Sequence, residues 1–320
     1  LFIILLDFTQ KIGYNGITNF SKSRRHTGQA ESRAEYGGGL FRCGRVGFFV
    51  VTVVIKDGVF LLELNRIYNE DCLDGLARLD DNTVDLIVTS PPYYNAKAYS
   101  QYADYGSYME FLRSVFALCL NKLKESRMCC VNISTIIVPR ACRSAQSTRL
   151  ALPFHFVNMM ERIGYEFLED IVWVKPEGAA KNRNGGFYCH RQPVAYKPNV
   201  VNEYVFVFKK PSKYLIDKVV RAYSGEVRAA SLVADGYERS NVWHINPDTS
   251  SKHPAPFPVE LSDKLIQYYS YVGDVVVDPF MGGGTTAVSA KKLKRSYIGF
   301  ELNAGYAELA QKRLTGTIFS

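Results

Sequence analysis

The stretch Thr89-Ser90-Pro91-Pro92-Tyr93 sets a hydroxyl, two prolines and an aromatic ring in a row. It follows residues 84–88, an apolar, largely β-branched run with an acid, Asp85, near its start, which reads as a short buried strand. Neither proline has an N–H to donate to a ladder, so the chain must leave the sheet at Ser90. The Ser90 hydroxyl and the Pro91 carbonyl then stand at the strand's C-terminal edge without ladder partners, and Tyr93 offers a flat ring just beyond. Two acceptors and a stacking face are what a planar ring with an exocyclic amino group needs. The same five residues also suit a plain proline exit from a strand, with a surface tyrosine.

A second stretch carries different chemistry. Val275-Val276-Val277-Asp278 runs into Pro279-Phe280-Met281-Gly282-Gly283-Gly284-Thr285-Thr286 and then into a helical pattern. Glycines let backbone approach a ligand closely, and a helix N-terminus offers unpaired N–H groups. Glu301, after the next strand, is placed to bind a ribose diol, as acids do there in doubly wound sheets. Gly282-x-Gly284-x-x-Ala287 also fits a dinucleotide fingerprint with Glu301 at the expected distance. Against a nicotinamide dinucleotide, Asp278-Pro279-Phe280 separates strand from glycines, and only one further strand follows.

The elements around these stretches alternate. Strand patterns at 65–68, 84–88, 128–133, 167–174, 203–208, 275–278 and 296–300 are interleaved with helical patterns at 73–79, 108–124, 152–163, 286–292 and 305–314. Such alternation predicts a mostly parallel α/β sheet of about seven strands covered by helices on both faces. His155, inside an apolar helix, reads as a packed core residue. Residues 176–202 and 211–252 break the rhythm; across 175–252 there are 13 Lys and Arg against 7 Asp and Glu. This marks 176–252 as an insertion that would meet a polyanion, in keeping with the net charge of +8, or else as a solvated loop region. Residues 1–62 show no periodicity and read as an N-terminal extension of unknown role, leaving 63–320 as the catalytic domain. The seven cysteines form no C-x-x-C pair and read as reduced core residues; with no H-x₃-H spacing, no metal is expected. No apolar run reaches the length of a membrane helix, and the N-terminus lacks the marks of a signal peptide.

Taken together, the two motifs resemble the signatures of the amino-group DNA methyltransferases. Their order, catalytic motif first and cofactor motif last, resembles the circularly permuted β class. The likeness spans about residues 64–314, and residues 1–62 match nothing in that family. Glu70-Asp71-Cys72 resembles the acidic turn that contacts the cofactor adenine, and Trp173-Val174-Lys175-Pro176 the strand end that lines the target-base pocket. His253-Pro254-Ala255-Pro256-Phe257-Pro258 resembles the segment over the methionine end of the cofactor. The resemblance implies a class I methyltransferase fold with S-adenosylmethionine as methyl donor. It implies a catalytic set of Ser90, Pro91, Pro92 and Tyr93, and cofactor contacts at Asp71, Pro254, Phe257, Asp278, Pro279, Phe280, Gly282, Gly284, Thr285 and Glu301.

Amino methylation needs no covalent enzyme intermediate; Ser90 and the Pro91 carbonyl would hold the amine while Tyr93 stacks on a flipped-out base. Methylation at cytosine carbon 5 would use a cysteine, usually after proline, and the chain has no Pro-Cys pair. In the family, Ser at the motif's first position goes mostly with cytosine N4 and Asp mostly with adenine N6, so Ser90 favours cytosine N4 over adenine N6. RNA methylation or a non-catalytic DNA-binding role are more distant alternatives. The partner would be duplex DNA, met by Lys97, Lys175, Arg183, Arg191, Lys197 and Arg239. Family habit adds a cognate restriction endonuclease, a cytoplasmic location in a prokaryotic or phage-infected cell, and a monomer or homodimer.

Overall fold

The computed structural model describes residues 62–94, 102–138, 140, 142, 144–145, 147–177, 192–196, 198–233, 236–248 and 258–316, with the short strands Leu5–Leu6 and Phe49–Val50. The chain divides into two units, Leu1–Leu61 and Leu62–Ser320. In the first, Leu5–Leu6 pairs antiparallel with Phe49–Val50.

The second unit is built on one eight-stranded sheet. Its strands in chain order are β1 (Arg66–Tyr68), β2 (Val84–Thr89), β3 (Leu123–Ile133), β4 (Glu166–Val174), β5 (Asn202–Lys209), β6 (Val242–His244), β7 (Val275–Asp278) and β8 (Ser296–Phe300). In space they run β6-β4-β5-β3-β2-β7-β8-β1. All neighbours pair parallel except β5, which lies antiparallel between β3 and β4. The expected parallel α/β sheet is present with one strand more than the pattern showed. That strand, β6, comes from inside the 176–252 insertion, so the segment is not wholly a peripheral loop; three residues are too few to register as a period.

The helices are α1 (Cys72–Ala77), α2 (Tyr105–Lys122), α3 (Leu152–Ile163), α4 (Ile216–Ala222), α5 (Gly225–Ser231), α6 (Val259–Tyr269), α7 (Thr285–Lys292) and α8 (Ala304–Leu314). All six residues of β2 are buried, as a strand covered on both faces requires. On one face, Ile87 and Cys129 pack with Leu76 of α1, Leu112 and Phe116 of α2, and Leu152 and Phe156 of α3. On the other, Leu86 and Val276 pack with Leu261 and Leu265 of α6, Ala287 and Ala290 of α7, and Ala310 of α8. The chain leaving β2 therefore goes to one face and the chain leaving β7, its neighbour, to the other. That divergence opens a crevice at the carboxyl ends of β2 and β7, where open α/β sheets bind ligands.

The opposite end is held by buried charge. Asp85 accepts from Lys124 at 2.7 Å, Arg127 at 2.9 Å and the Val275 N–H at 3.0 Å, while Arg127 reaches Asp274 at 3.2 Å. Tyr223 donates to Asp274 at 2.5 Å and stacks on Tyr271 at 4.1 Å, docking the segment after α4 there. Removing Arg127 would leave Asp274 buried without a cationic partner and Asp85 with Lys124 alone. Two readings are corrected here. His155 is exposed and joins Tyr105 at 2.9 Å, because its helix turns that position away from the core. Among the described cysteines, Cys72, Cys119, Cys129 and Cys130 are buried, but Cys142 is exposed in the loop after β3.

Candidate active site

The glycine loop after β7 is shaped by backbone that other residues rarely adopt. Gly282 and Gly284 have φ of 52° and 82°. A Cβ on Gly284 would also lie 2.6 Å from that of Ala310, so glycine lets α7 and α8 meet. The loop is closed by Met281 N–H to the Phe300 carbonyl at 2.9 Å and Gly284 N–H to the Met281 carbonyl at 3.0 Å. Arg313 holds it from below, donating to the Gly283 carbonyl at 2.5 Å and to Thr285 Oγ1 at 3.1 Å.

Glu301 follows β8 and faces this loop. Its carboxylate accepts from the Gly282 N–H and the Asn303 N–H, each at 2.8 Å. Burial pushes its pKa up, opposed by those two N–H groups. Next in the sheet, the turn after β1 is clipped to the turn after β8: Asn69 donates to the carbonyls of Glu301 at 2.7 Å and Leu302 at 3.1 Å. Asp71 then caps α1 by accepting from the Leu73 N–H at 2.7 Å. Tyr102 packs edge-on against Tyr108, and burial pushes its pKa up to about 12, with Cys72 and Asp71 adding to it. Asp71, Glu301 and the glycine loop thus share one rim of the crevice.

Asp278 links this rim to the other. It is buried, and its carboxyl accepts from Thr89 Oγ1 at 2.6 Å, Thr286 Oγ1 at 2.6 Å and the Phe280 N–H at 2.9 Å. Burial raises its pKa to about 6, held from going higher by those three donors. Because Thr89 directly precedes Ser90, Asp278 fixes the end of β2 against the start of the glycine loop.

Beyond Thr89, the chain turns as two prolines demand. Pro91 is buried, and the Pro92 carbonyl accepts from the Tyr108 hydroxyl at 3.0 Å. The Tyr93 phenol donates to Glu203 Oε2 at 3.1 Å, and Asn132 Nδ2 donates to the same oxygen at 2.7 Å while lying 3.4 Å from Ser90 Oγ. Lys175 pairs with the other oxygen of Glu203 and lies 4.4 Å above the Trp173 ring. Burial raises the Tyr93 pKa well above its ordinary value, with the Glu203 charge adding to it. Sequence reasoning singled out neither Asn132 nor Glu203. Both left a signal: Asn132 is polar inside the apolar run of β3, and Glu203 stands ahead of the buried residues 205–208 of β5.

The structure therefore brings Asp71, Ser90, Pro91, Pro92, Tyr93, Lys175, Asp278, Pro279, Phe280, Gly282, Gly284, Thr285 and Glu301 to one end of one sheet. Arg239 is exposed on the loop before β6, 5.7 Å from the Tyr237 ring. Lys97, Arg183, Arg191, Lys197, Pro254 and Phe257 lie outside the described residues.

An open α/β sheet with a glycine loop and a rim carboxylate at the carboxyl ends of its strands has the form of a nucleotide-cofactor enzyme. The sequence profile of the DNA methylase family (N6 and N4 methyltransferases) matches residues 84–312. The chain belongs to this DNA methylase family, whose members take the methyl group from S-adenosylmethionine. It is 29% identical over 263 residues to the type II methyltransferase M.BglII of Bacillus subtilis, covering 79% of this chain and 69% of that one. It is 28% identical over 273 residues to the type II methyltransferase M.SmaI of Serratia marcescens, covering 76% of this chain and 88% of the relative. A Thermus thermophilus protein described as a DNA modification methylase, solved with S-adenosyl-L-methionine, superposes with a TM-score of 0.63. Identity there is 25%, covering 78% of this chain and 93% of the other.

The rim fits that cofactor. Each Glu301 oxygen takes one backbone N–H and keeps a further lone pair for a ribose hydroxyl. The positive-φ loop would let a ligand lie against main chain, as a dinucleotide would also require; the cofactor of the family is S-adenosylmethionine. Among the described residues, no helix is long and apolar enough to cross a membrane.

Proposed function

We propose that this protein methylates the exocyclic N4 of cytosine in duplex DNA, acting on a base turned out of the helix. The observation that carries the reading is the place of Ser90, at the carboxyl end of β2 and tied through Thr89 and Asp278 to the cofactor rim. When bound, the cofactor supplies an electrophilic methyl group, so the protein needs no nucleophile of its own. The target amine is a poor nucleophile because its lone pair is spread into the ring. Ser90 Oγ and the Pro91 carbonyl accept its hydrogens and favour the pyramidal form, an effect that belongs to the transition state. Tyr93 gives the base a ring to stack on, which offsets part of the few kcal/mol that base flipping costs. Ser at this position supports cytosine; adenine N6 is the nearest alternative within the same chemistry.

In this reading Asp71 and Glu301 hold the adenosine, with Pro279, Phe280, Gly282, Gly284 and Thr285 along the cofactor's path and Pro254 and Phe257 over its methionine end. Asp278 acts through protein, positioning Thr89 and the loop. Lys97, Arg183, Arg191, Lys197 and Arg239 meet phosphates, and Lys175 stands at the edge of the base pocket. Residues 176–252 supply the DNA surface of a catalytic domain over 63–320, and residues 1–62 are an extension. The type II relatives support a restriction-modification role in the cell interior, with a nuclease sharing the site. Steady-state methyl transfer tests the assignment: Ser90→Ala should lower kcat by roughly 10²–10³ with little change in KM for either substrate. A near wild-type kcat would return residues 89–93 to a plain strand exit.

A further inference from the structure

Ser90, Asn132, Glu203 and Lys175 stand at the same end of four successive strands, β2, β3, β5 and β4. Register sets Thr89 beside Val131, so Ser90 and Asn132 follow side by side, and it sets Glu203 beside Trp173, close to Lys175. β5 is antiparallel, so its first residues deliver a carboxylate where its neighbours end. Glu203 takes a donor on each oxygen: Lys175 on Oε1, and Asn132 Nδ2 on Oε2 at 2.7 Å, with the Tyr93 phenol sharing Oε2 at 3.1 Å. Trp173 is buried, donates from Nε1 to the Ile245 carbonyl at 2.8 Å, and lies under the Lys175 ammonium. Lys175 and Glu203 are only partly buried, so the pair borders the crevice. Asn132 gives something up for this arrangement. It is buried, its amide must turn nitrogen-first to meet a carboxylate, and its Oδ1 has no hydrogen-bond partner among the described residues. An unpaired buried carbonyl opposes folding, which points to a use for the amide's N–H groups.

We propose that Asn132 and Lys175, held in place by Glu203, read the Watson–Crick edge of the target base and select cytosine. This rests on the cytosine reading given above. Along that edge cytosine presents its amine and then two acceptors, N3 and O2. Adenine presents its amine, one acceptor, N1, and then only a C–H. The protein presents acceptors at Ser90 and Pro91, then an amide donor at Asn132, then an ammonium at Lys175. With the amine at Ser90, the amide falls to the ring nitrogen and the ammonium to O2. Each donor has a hydrogen to spare, since Glu203 uses one from each. Asn132 Nδ2 lies 3.4 Å from Ser90 Oγ, too long for a strong bond, so its second hydrogen is available. The two oxygens of Glu203 share one carbon, as N3 and O2 of cytosine share C2, so one carboxylate spaces two donors for two neighbouring acceptors. Adenine would leave the ammonium facing a C–H, and a site built for a hydrogen bond rejects a base that cannot make it. Tyr93, tied to the same carboxylate, keeps its ring in register with this edge.

The test uses duplex oligonucleotides carrying the site found by mapping methylated bases in DNA of cells that express the protein. The target position holds cytosine, adenine, or 2-thiocytosine, which keeps the amine and N3 but has a weakly accepting sulfur in place of O2. Transfer of labelled methyl from S-adenosylmethionine is followed with enzyme in excess. Lys175→Met removes the ammonium and keeps the stem over Trp173. It should lower the cytosine rate about 10- to 100-fold, the scale of one charged hydrogen bond, and change the other two rates about threefold or less. Glu203→Gln replaces one anchoring oxygen by an amide N–H₂; it should narrow the cytosine preference in the same sense, and it decides the matter if Lys175→Met does not fold. Equal losses on all three bases would mark a merely structural role and overturn the proposal, as would an unchanged cytosine rate in Lys175→Met. The underlying reading fails separately: it falls if the wild-type protein prefers adenine, whereas equal losses with cytosine still preferred remove only the base-reading role.

Discussion

At the residue scale, Asp278 shows how one side chain serves both fold and site. It gives up water for two hydroxyls and one N–H, and the exchange is incomplete, since its carboxyl titrates at about 6 instead of 3.8. The folded protein therefore holds that proton more tightly than the unfolded chain. The cost of burying the charge is absent below the unfolded value, grows as pH rises from 3.8 to about 6, and is constant above. Paired urea titrations of wild type and Asp278→Asn should show the difference moving in favour of the Asn variant across that window. A difference independent of pH would mean that Asp278 is solvated. Tyr93 carries a lesson at the same scale. Its place at the strand exit was legible, but its hydroxyl donates to Glu203, far along the chain and silent until β5 is folded beside β3.

At the element scale, the site depends on where helices leave the sheet. α1, α2 and α3 cover one face and α6, α7 and α8 the other, and the crevice lies where the two sets part. The close approach of α7 to α8 at Gly284 fixes the end of the glycine loop against α8. Gly284→Ala adds a methyl group 2.6 Å from the Ala310 Cβ in a backbone region with φ of 82°, and should destabilise the fold by about 1–3 kcal/mol. A lowered thermal midpoint, together with weakened S-adenosylmethionine binding at a temperature where both proteins are folded, is the expected result. The strands and helices that build this crevice were legible because each has a buried face and therefore a period. β6 and the antiparallel run of β5 were not. Three residues carry no period, and strand direction is set by which edge is free when the strand docks, which no local pattern encodes. The charge cluster of Asp85, Arg127 and Asp274 was hidden for a similar reason: in sequence each is an ordinary polar residue, and only the sheet brings them together.

At the scale of the whole molecule, basic charge has to bring a polyanion to a narrow cleft. Arg239 is exposed, whereas Lys175 is held by Glu203, so under the proposed function phosphates would be met by the cations of the 176–252 insertion. Affinity for duplex DNA should fall steeply with salt. Neutralising Arg183, Arg191, Lys197 and Arg239 together should flatten the slope of log K against log salt by roughly 0.9 for each phosphate that no longer meets a cation. An unchanged slope would move the DNA surface elsewhere. The central claim, transfer to the amino group of cytosine by a site built on Ser90, is tested most directly by the product. DNA incubated with the protein and isotopically labelled S-adenosylmethionine would be digested and its nucleosides identified by mass spectrometry. Label in N4-methyldeoxycytidine, lost in Ser90→Ala, is the predicted result. Label in N6-methyldeoxyadenosine would overturn the choice of base, and label in 5-methyldeoxycytidine, or an undiminished rate from Ser90→Ala, would contradict the mechanism itself.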